Sequence, residues 1–408
     1  MSRLDYRARI AAHNPGLGAF VDLTDETEGE GLRWGAKSNI AVKGLPYTAG
    51  CEAYRQRIAT MDAPVIQRIR NSGGTVLGTV NMHEGALGAT TDNLAYGRTH
   101  NPWRKGYTPG GSSGGSGAAV AAALCDVALG TDTMGSIRIP AAYCGVQGHK
   151  PTPGIVPTEG VIPLSTTLDH VGPLARDVET LWRAMHILAD WGPAPALHAR
   201  ALAGLRIGLW DGGGAVDLTA PVRAGFEAAC ETIEEAGASM HAFSPHGYAY
   251  ARSRRAGLLV SEIEAAKEHG VTGDGPDQAG FSKAFLELMN WGVRQPQEKR
   301  AHAYDHISAV REAAKTVWDA FDFVLAPTAP QTAFSFEADV PANQADFTAW
   351  ADFASLPATA LFAGIGEDGL PLSVQLIGPE GEDRVVLQVA ATLEALFGAP
   401  LLPPGFET

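Results

Sequence analysis

Apolar and polar positions along this chain repeat with two different periods, and the two alternate. After Asp62 as a helix cap and Pro64 in the first turn, Val65, Ile66 and Ile69 recur at helical spacing, and Gly73-Gly74 end the run. Thr75–Val80 follows as an almost unbroken apolar segment, the pattern of a strand covered on both faces. The same order returns from Pro221, with an amphipathic helix to Glu235, a stop at Gly237 and a strand over Ser239–Phe243. Near the C-terminus Pro371–Gly378 reads as a strand and Arg384–Leu396 as a helix. This alternation predicts an α/β fold in which a sheet is sandwiched between helical layers.

Two shifts in composition interrupt the pattern. Asp190-Trp-Gly-Pro-Ala-Pro resembles a linker, and a second shift lies near Pro327–Thr332, after a helical segment over 297–320. Because the C-terminal strand has the character of a core strand, residues 1–408 are expected to form one domain. It would consist of a core over 14–190, a variable middle segment over 191–320 shaping the pocket, and a C-terminal part over 321–408 returning to the sheet. In the middle segment Trp210, Phe226, Tyr248, Tyr250 and Trp291 are expected to be core residues before they are pocket residues. No internal repeat is visible.

Composition narrows the classes of function. Of the 408 residues, 45% are hydrophobic and 19% charged, enough to bury a sizeable core. The net charge of −14 argues against nucleic acid or an anionic membrane surface as partner. The residues after Met1 carry no apolar leader, and the most apolar helical stretch, Ala118–Cys125, is too short to span a bilayer. Cys51, Cys125, Cys144 and Cys230 show no metal-ligand spacing and are expected to be reduced, so a cytoplasmic protein without metal or cofactor is expected.

The chemistry-bearing stretch is residues 106–152. A Gly/Ser loop over Gly110–Gly117 leads into an Ala-rich helix and then into a tight turn at Thr131–Ser136. Such a backbone points successive N–H groups at one spot, as an acyl-transfer site requires. No histidine lies in the loop, His83 and His149 being the nearest. A lysine can act as base if burial keeps it neutral, and Lys37 lies in an apolar, strand-like segment, whereas Lys43 before Gly-Leu-Pro is expected to be exposed.

Gly110-Gly-Ser-Ser-Gly-Gly-Ser-Gly-Ala-Ala-Val-Ala-Ala followed by Gly130-Thr-Asp-Thr-Met-Gly-Ser-Ile-Arg-Ile-Pro-Ala-Ala resembles the defining stretch of the amidase signature family. Ala36-Lys-Ser-Asn-Ile, Asn81-Met-His-Glu, Gly148-His-Lys-Pro-Thr, Leu168-Asp-His-Val-Gly-Pro and Gly369-Leu-Pro-Leu-Ser-Val-Gln-Leu-Ile-Gly are similar to further landmarks of that family. The resemblance spans about 14–190 and 320–396. It implies a large mixed sheet between helical layers and hydrolysis of a carboxamide or a related carbamate, urea-type, aryl amide or ester bond. Ser136 would be the acyl-enzyme nucleophile, Ser112 the bridging serine in a cis peptide and Lys37 the base. The N–H groups of Thr133, Met134, Gly135 and Ser136 would form the oxyanion hole, with Ser113, Asp132 and Arg138 in support. A small-molecule amide or carbamate is the implied partner, with a homodimer left open. The alternatives are an amidotransferase subunit of the glutaminase type, passing ammonia to a partner, and a catalytically weak binding homologue.

Three departures from the family pattern stand out. Met134 replaces a glycine and would be strained if φ there were positive. Ser38 replaces an acidic residue after the lysine. The N-terminal part looks short, which weighs against the amidotransferase alternative and would open one rim of the site.

Other readings of the residues are weaker. Gly111-Ser-Ser-Gly-Gly formally fits a nucleophile elbow with Ser113, but no strand precedes it. Gly35-Ala-Lys-Ser misses a phosphate-binding loop. Cys144 has no evident base, Glu84 and Asp92 form only a generic carboxylate pair, and Asp169-His170 reads as a structural turn.

Overall fold

The computed structural model describes residues 5–26, 29–273 and 279–407. Its strands are β1 (Phe20–Leu23), β2 (Arg33–Lys37), β3 (Thr75–Val80), β4 (Asp92–Asn93), β5 (Gly97–Arg98), β6 (Val127–Asp132) and β7 (Gln147–Lys150). They continue with β8 (His170–Ala175), β9 (Arg206–Leu209), β10 (Ser239–Ala242), β11 (Phe323–Pro327), β12 (Ala358–Ile365) and β13 (Pro371–Ile377). The helices are α1 (Tyr6–Leu17), α2 (Pro64–Asn71), α3 (Gly114–Ala121), α4 (Arg138–Cys144), α5 (Val178–Leu188) and α6 (Ala220–Glu235). After them come α7 (Tyr250–Glu268), α8 (Lys283–Arg294), α9 (Gln297–Ala314), α10 (Ala349–Phe353) and α11 (Asp383–Phe397).

Eleven strands form one sheet in the order β1-β3-β2-β6-β8-β7-β12-β13-β11-β9-β10, and β4 with β5 makes a separate two-stranded ladder. The sheet is mixed. β3, β2 and β6 run parallel to one another, as do β11, β9 and β10, while β8, β7, β12 and β13 pair antiparallel between them.

The strand pleat distributes the core. Trp34, Ala36, Val127, Leu129, Leu325, Val374 and Leu376 point to one face, where they pack with Val65, Ile66 and Ile69 of α2 and with α5, α6 and α11. The alternate positions point the other way. Ala128, Leu77 and Val80 pack under α1, α3 and α4, and Val324, Ala326 and Ile377 under α7, α9 and α10. Strands covered on both faces have no polar side, and β2, β3, β6, β8 and β11 are buried at every position.

The elements read from periodicity are present, with local corrections. Asp62 does not cap α2; Ala63 occupies that position, and Asp62 accepts from the Lys43 N–H and pairs with Arg70. The Ala-rich helix ends at Ala121, because Ala123 takes a positive φ of 52° and turns the chain toward β6. Trp210, Phe226 and Tyr248 are core residues, but Trp291 is 37% exposed on α8, with Arg255 and Lys299 over its ring. No helix among the described residues is long and apolar enough to cross a membrane.

Candidate active site

The three parallel strands β3, β2 and β6 end together, and the crevice beyond their carboxyl ends is where open α/β sheets place ligands. Lys37 is the last residue of β2 and lies opposite Val80 at the end of β3. Trp34 and Ala36 take the other face, so the pleat turns Lys37 toward the side covered by α3 and α4. Its ammonium group is fully buried and lies 2.7 Å from Ser112 Oγ and 2.7 Å from Thr131 Oγ1. Burial pushes its pKa down to about 7, against the opposing pull of Asp169 and Asp132.

Ser112 reaches the lysine from the Gly/Ser loop. The Gly111–Ser112 peptide bond is cis, and the Ser112 carbonyl accepts from the His83 N–H at 3.0 Å. The loop presses against the end of β3: a Cβ on Gly115 would lie 2.3 Å from the Asn81 carbonyl oxygen. Ser113 is fully buried, and its hydroxyl donates to the Thr131 carbonyl at 3.2 Å. Bends rather than a strand precede it, so the elbow reading of Ser113 is not met.

Ser136 follows β6 on the tight turn and is partly exposed. One carboxylate shapes that turn. Asp132 accepts from the N–H groups of Gly135 at 2.5 Å and Ile137 at 3.1 Å, and from Arg138 Nε at 3.0 Å. Arg138, fully buried, also reaches Asp352 at 2.6 Å, Gln375 at 3.0 Å and the Thr348 carbonyl at 2.8 Å. Burial disfavours the Asp132 anion, yet Arg138 and the turn N–H groups more than offset this and hold its pKa below the usual carboxylate range. Gly135 takes φ 135°, a region that favours glycine. The expectation of a free Gly135 N–H is corrected, since Asp132 holds it. The N–H groups of Thr133, Met134 and Ser136 have no protein acceptor among the described residues.

Those three residues line a cavity of about 210 Å³. Its remaining wall is mainly apolar and comes from the loop Ala86–Ala89, Ile139, Leu164, α7 and the segment Val340–Ala345. Of the middle segment, Arg254, Leu258 and Ser261 of α7 reach it. A gradient of burial therefore runs from partly exposed Ser136 at the cavity to Ser112 and Lys37, both fully enclosed. The Ser112 and Ser136 hydroxyls are not hydrogen-bonded to each other; the two segments meet instead through the Ser113 N–H and the Ser136 carbonyl at 3.2 Å.

Periodicity and motif spacing did not single out Thr131 or Asn39. The Thr131 hydroxyl is the second partner of Lys37, and Asn39 Nδ2 lies 3.3 Å from it. Asp169 is more than a turn residue. Its carboxylate accepts from the Thr133 hydroxyl at 2.6 Å and from the Leu164 and Ser165 N–H groups, and desolvation pushes its pKa up to about 6. The Asp in Leu168-Asp-His-Val-Gly-Pro was a usable signal, but nothing local to it points to Thr133.

The weaker candidates fall elsewhere. His83 lies against Thr90, burial lowering its pKa to about 4, and His149 is held by Thr359 and Asp383. Glu84 accepts from the Ser282 N–H while Asp92 pairs with Arg98, so they form no carboxylate pair. Burial raises the Cys144 thiol pKa, and its sulfur sits 3.4 Å from the Pro109 carbonyl.

Comparison with known proteins identifies the family and the fold. The Amidase family model matches residues 30–387. A glutamyl-tRNA(Gln) amidotransferase subunit from Halothermothrix orenii is 31% identical over 403 residues, covering 89% of this chain and 84% of that protein. A chain from a vestigial protein complex, solved in work on the evolutionary origins of an s-triazine catabolic enzyme, superposes with a TM-score of 0.87 at 29% identity, covering 98% of this chain and 95% of that one. The 6-aminohexanoate cyclic dimer hydrolase, solved with its substrate, gives a TM-score of 0.87 at 25% identity over 98% of this chain and 94% of that one.

Proposed function

The chain belongs to the amidase family, and on that premise we propose that it hydrolyses a small carboxamide, or a related carbamate, urea-type or aryl amide bond, through an acyl-enzyme on Ser136. The observation that carries the proposal is the contact of 2.7 Å between Lys37 Nζ and Ser112 Oγ, in an enclosure that brings the lysine pKa to about 7. A surface lysine is almost wholly protonated at neutral pH and is no base. Here a large neutral fraction is present at working pH.

In the proposed sequence Ser136 Oγ attacks the scissile carbonyl carbon. Its proton passes to Ser112 as the Ser112 proton passes to Lys37. The developing oxyanion takes hydrogen bonds from the free N–H groups of the turn, for which Thr133, Met134 and Ser136 are the donors. The C–N bond breaks as the relay returns a proton to the nitrogen, which leaves as ammonia or an amine. Water then enters, gives one proton to the relay and attacks the acyl carbon. The acid leaves, and Ser136 takes the proton back.

The second reading, an amidotransferase component that passes ammonia to a partner, is favoured by the identity to the Halothermothrix orenii protein over most of both chains. The cavity weighs against it. Glutamine is a zwitterion, yet the cavity wall is mainly apolar, and the one charged side chain among its described lining residues, Arg254, is already paired with Asp346.

Intact mass after exposure to a fluorophosphonate tests the nucleophile. One adduct is expected on the wild type and none on Ser136→Ala; equal labelling of both would remove Ser136 from the role. Release of ammonia or amine from small amides by the purified chain alone separates a hydrolase from an amidotransferase component.

A further inference from the structure

Met134 departs from the glycine of the family pattern, and the structure shows what it meets. Its φ is not positive, so the side chain sits on ordinary backbone, and Thr348 Oγ1 donates to its carbonyl at 2.6 Å. The thioether reaches across to α7 at Gly257. A Cβ on Gly257 would lie 2.6 Å from Phe353 Cζ, 2.8 Å from Met134 Sδ and 2.9 Å from Met134 Cε. Glycine is unfavourable inside a helix as long as α7, at 19 residues, and here its missing side chain is what admits the methionine. Arg254, Gly257, Leu258 and Ser261 follow helical spacing, so the stripe of α7 that receives Met134 also walls the cavity.

We infer that Met134, seated against Gly257, closes the far side of the acyl pocket and restricts the substrate to amides of short, apolar acids. The inference rests on the reading of Ser136 as the acylated residue. A cavity walled on one side and open on the other suits the acyl part of the substrate, because the acyl group stays attached through both half-reactions while the amine must depart and water enter by the open side. Met134 and Ser136 line the same cavity of about 210 Å³ two residues apart, so a group bonded to Ser136 meets the thioether within a few carbons.

The test is the rate of adduct formation on Ser136 with alkyl fluorophosphonates from ethyl to dodecyl. In the wild type the rate should fall sharply beyond the short chains. Met134→Ala should move the cut-off to longer chains and raise the long-to-short ratio by at least about tenfold, the lower end of what one methylene is worth in an apolar pocket. Met134→Leu, which keeps the volume, should retain the wild-type profile. Gly257→Ala, which displaces the thioether toward the cavity, should slow every probe. An unchanged cut-off in Met134→Ala, or a wild type indifferent to chain length, overturns the inference and leaves the nucleophile intact. Adducts that survive Ser136→Ala overturn the underlying reading instead.

Discussion

The hydroxyl of Thr133 donates to Asp169 Oδ1 at 2.6 Å. This contact fastens the turn carrying Ser136 to the segment entering β8, because the other oxygen of Asp169 is held by the N–H groups of Leu164 and Ser165 at 2.8 and 3.1 Å. The same carboxylate raises the proton affinity of Lys37, so it acts on both halves of the candidate site.

Activity should depend on Lys37 being neutral. Since its pKa lies at about 7, kcat/KM is expected to climb with pH through that region and level off above it. The charged groups acting on the lysine are Asp169 and Asp132, with His83 neutral in this range. A profile flat between about pH 6 and about pH 9, a window that spans the titration, would remove the lysine from its role as base.

Asp169→Asn removes one of the two anions that favour protonated Lys37, while Asp132 remains tied to Arg138. The ascending limb should therefore move to lower pH, most visibly above about pH 6, where Asp169 is ionised in the wild type. The turn should also loosen, so kcat should fall as the limb moves. A fall in kcat with the limb unmoved would leave Asp169 a structural brace only.

Lys37→Met should be inactive yet more resistant to heat at low pH. The folded pKa of about 7 lies below the ordinary lysine value of 10.5, so the unfolded chain binds the proton more tightly between those values. Wild-type stability therefore carries the full penalty below pH 7 and sheds it as pH rises toward the unfolded value. The difference in Tm between variant and wild type should shrink from about pH 6 to about pH 9, about 1.4 kcal/mol per pH unit being the upper bound. A difference independent of pH would contradict the assigned shift.

Arg138→Met should cost stability more than activity chemistry alone would explain. It strands Asp132 and Asp352, both fully buried, and breaking such a pair costs about 3–5 kcal/mol. Chemical denaturation should show a loss of that order. A change below about 1 kcal/mol, the scale of an exposed pair, would mean that water reaches the network.

Gly135→Ala tests the turn. The position has φ 135°, and a Cβ there would lie 2.3 Å from Thr348 Oγ1. The variant should fold, because only the turn is affected, but a turn displaced far enough to withdraw one of the remaining oxyanion donors should label at Ser136 about a hundredfold more slowly. Labelling at the wild-type rate would show that the turn relaxes without moving Ser136.

Much of the framework was legible in the residues. Val65, Ile66 and Ile69 mark the inner face of α2, and the unbroken apolar run at Thr75–Val80 marks a strand covered twice. Lys37, Ser112 and the turn before Ser136 follow from the motifs, and an apolar setting for Lys37 could be read from its neighbours. What the chain order hides is contact between distant segments. Thr131 meets Lys37 only because β6 lies beside β2, and Asp169 meets Thr133 only because β8 lies beside β6. The Gly135 N–H looked free because the side chain that takes it belongs to the turn itself, at Asp132, where a cap and a brace are indistinguishable in sequence. The Met134–Gly257 contact joins positions with no common motif.

The parallel placement of β2 between β3 and β6 has a consequence in time. Lys37 and Thr131 are 94 residues apart and Lys37 and Ser112 are 75 apart, so the lysine meets its partners only after two non-local strand pairs have closed. Helices such as α7 and α9 can form from local contacts well before that. During refolding, helical signal should return first and serine reactivity last, which makes the rate of probe labelling a clock for the final assembly of the sheet.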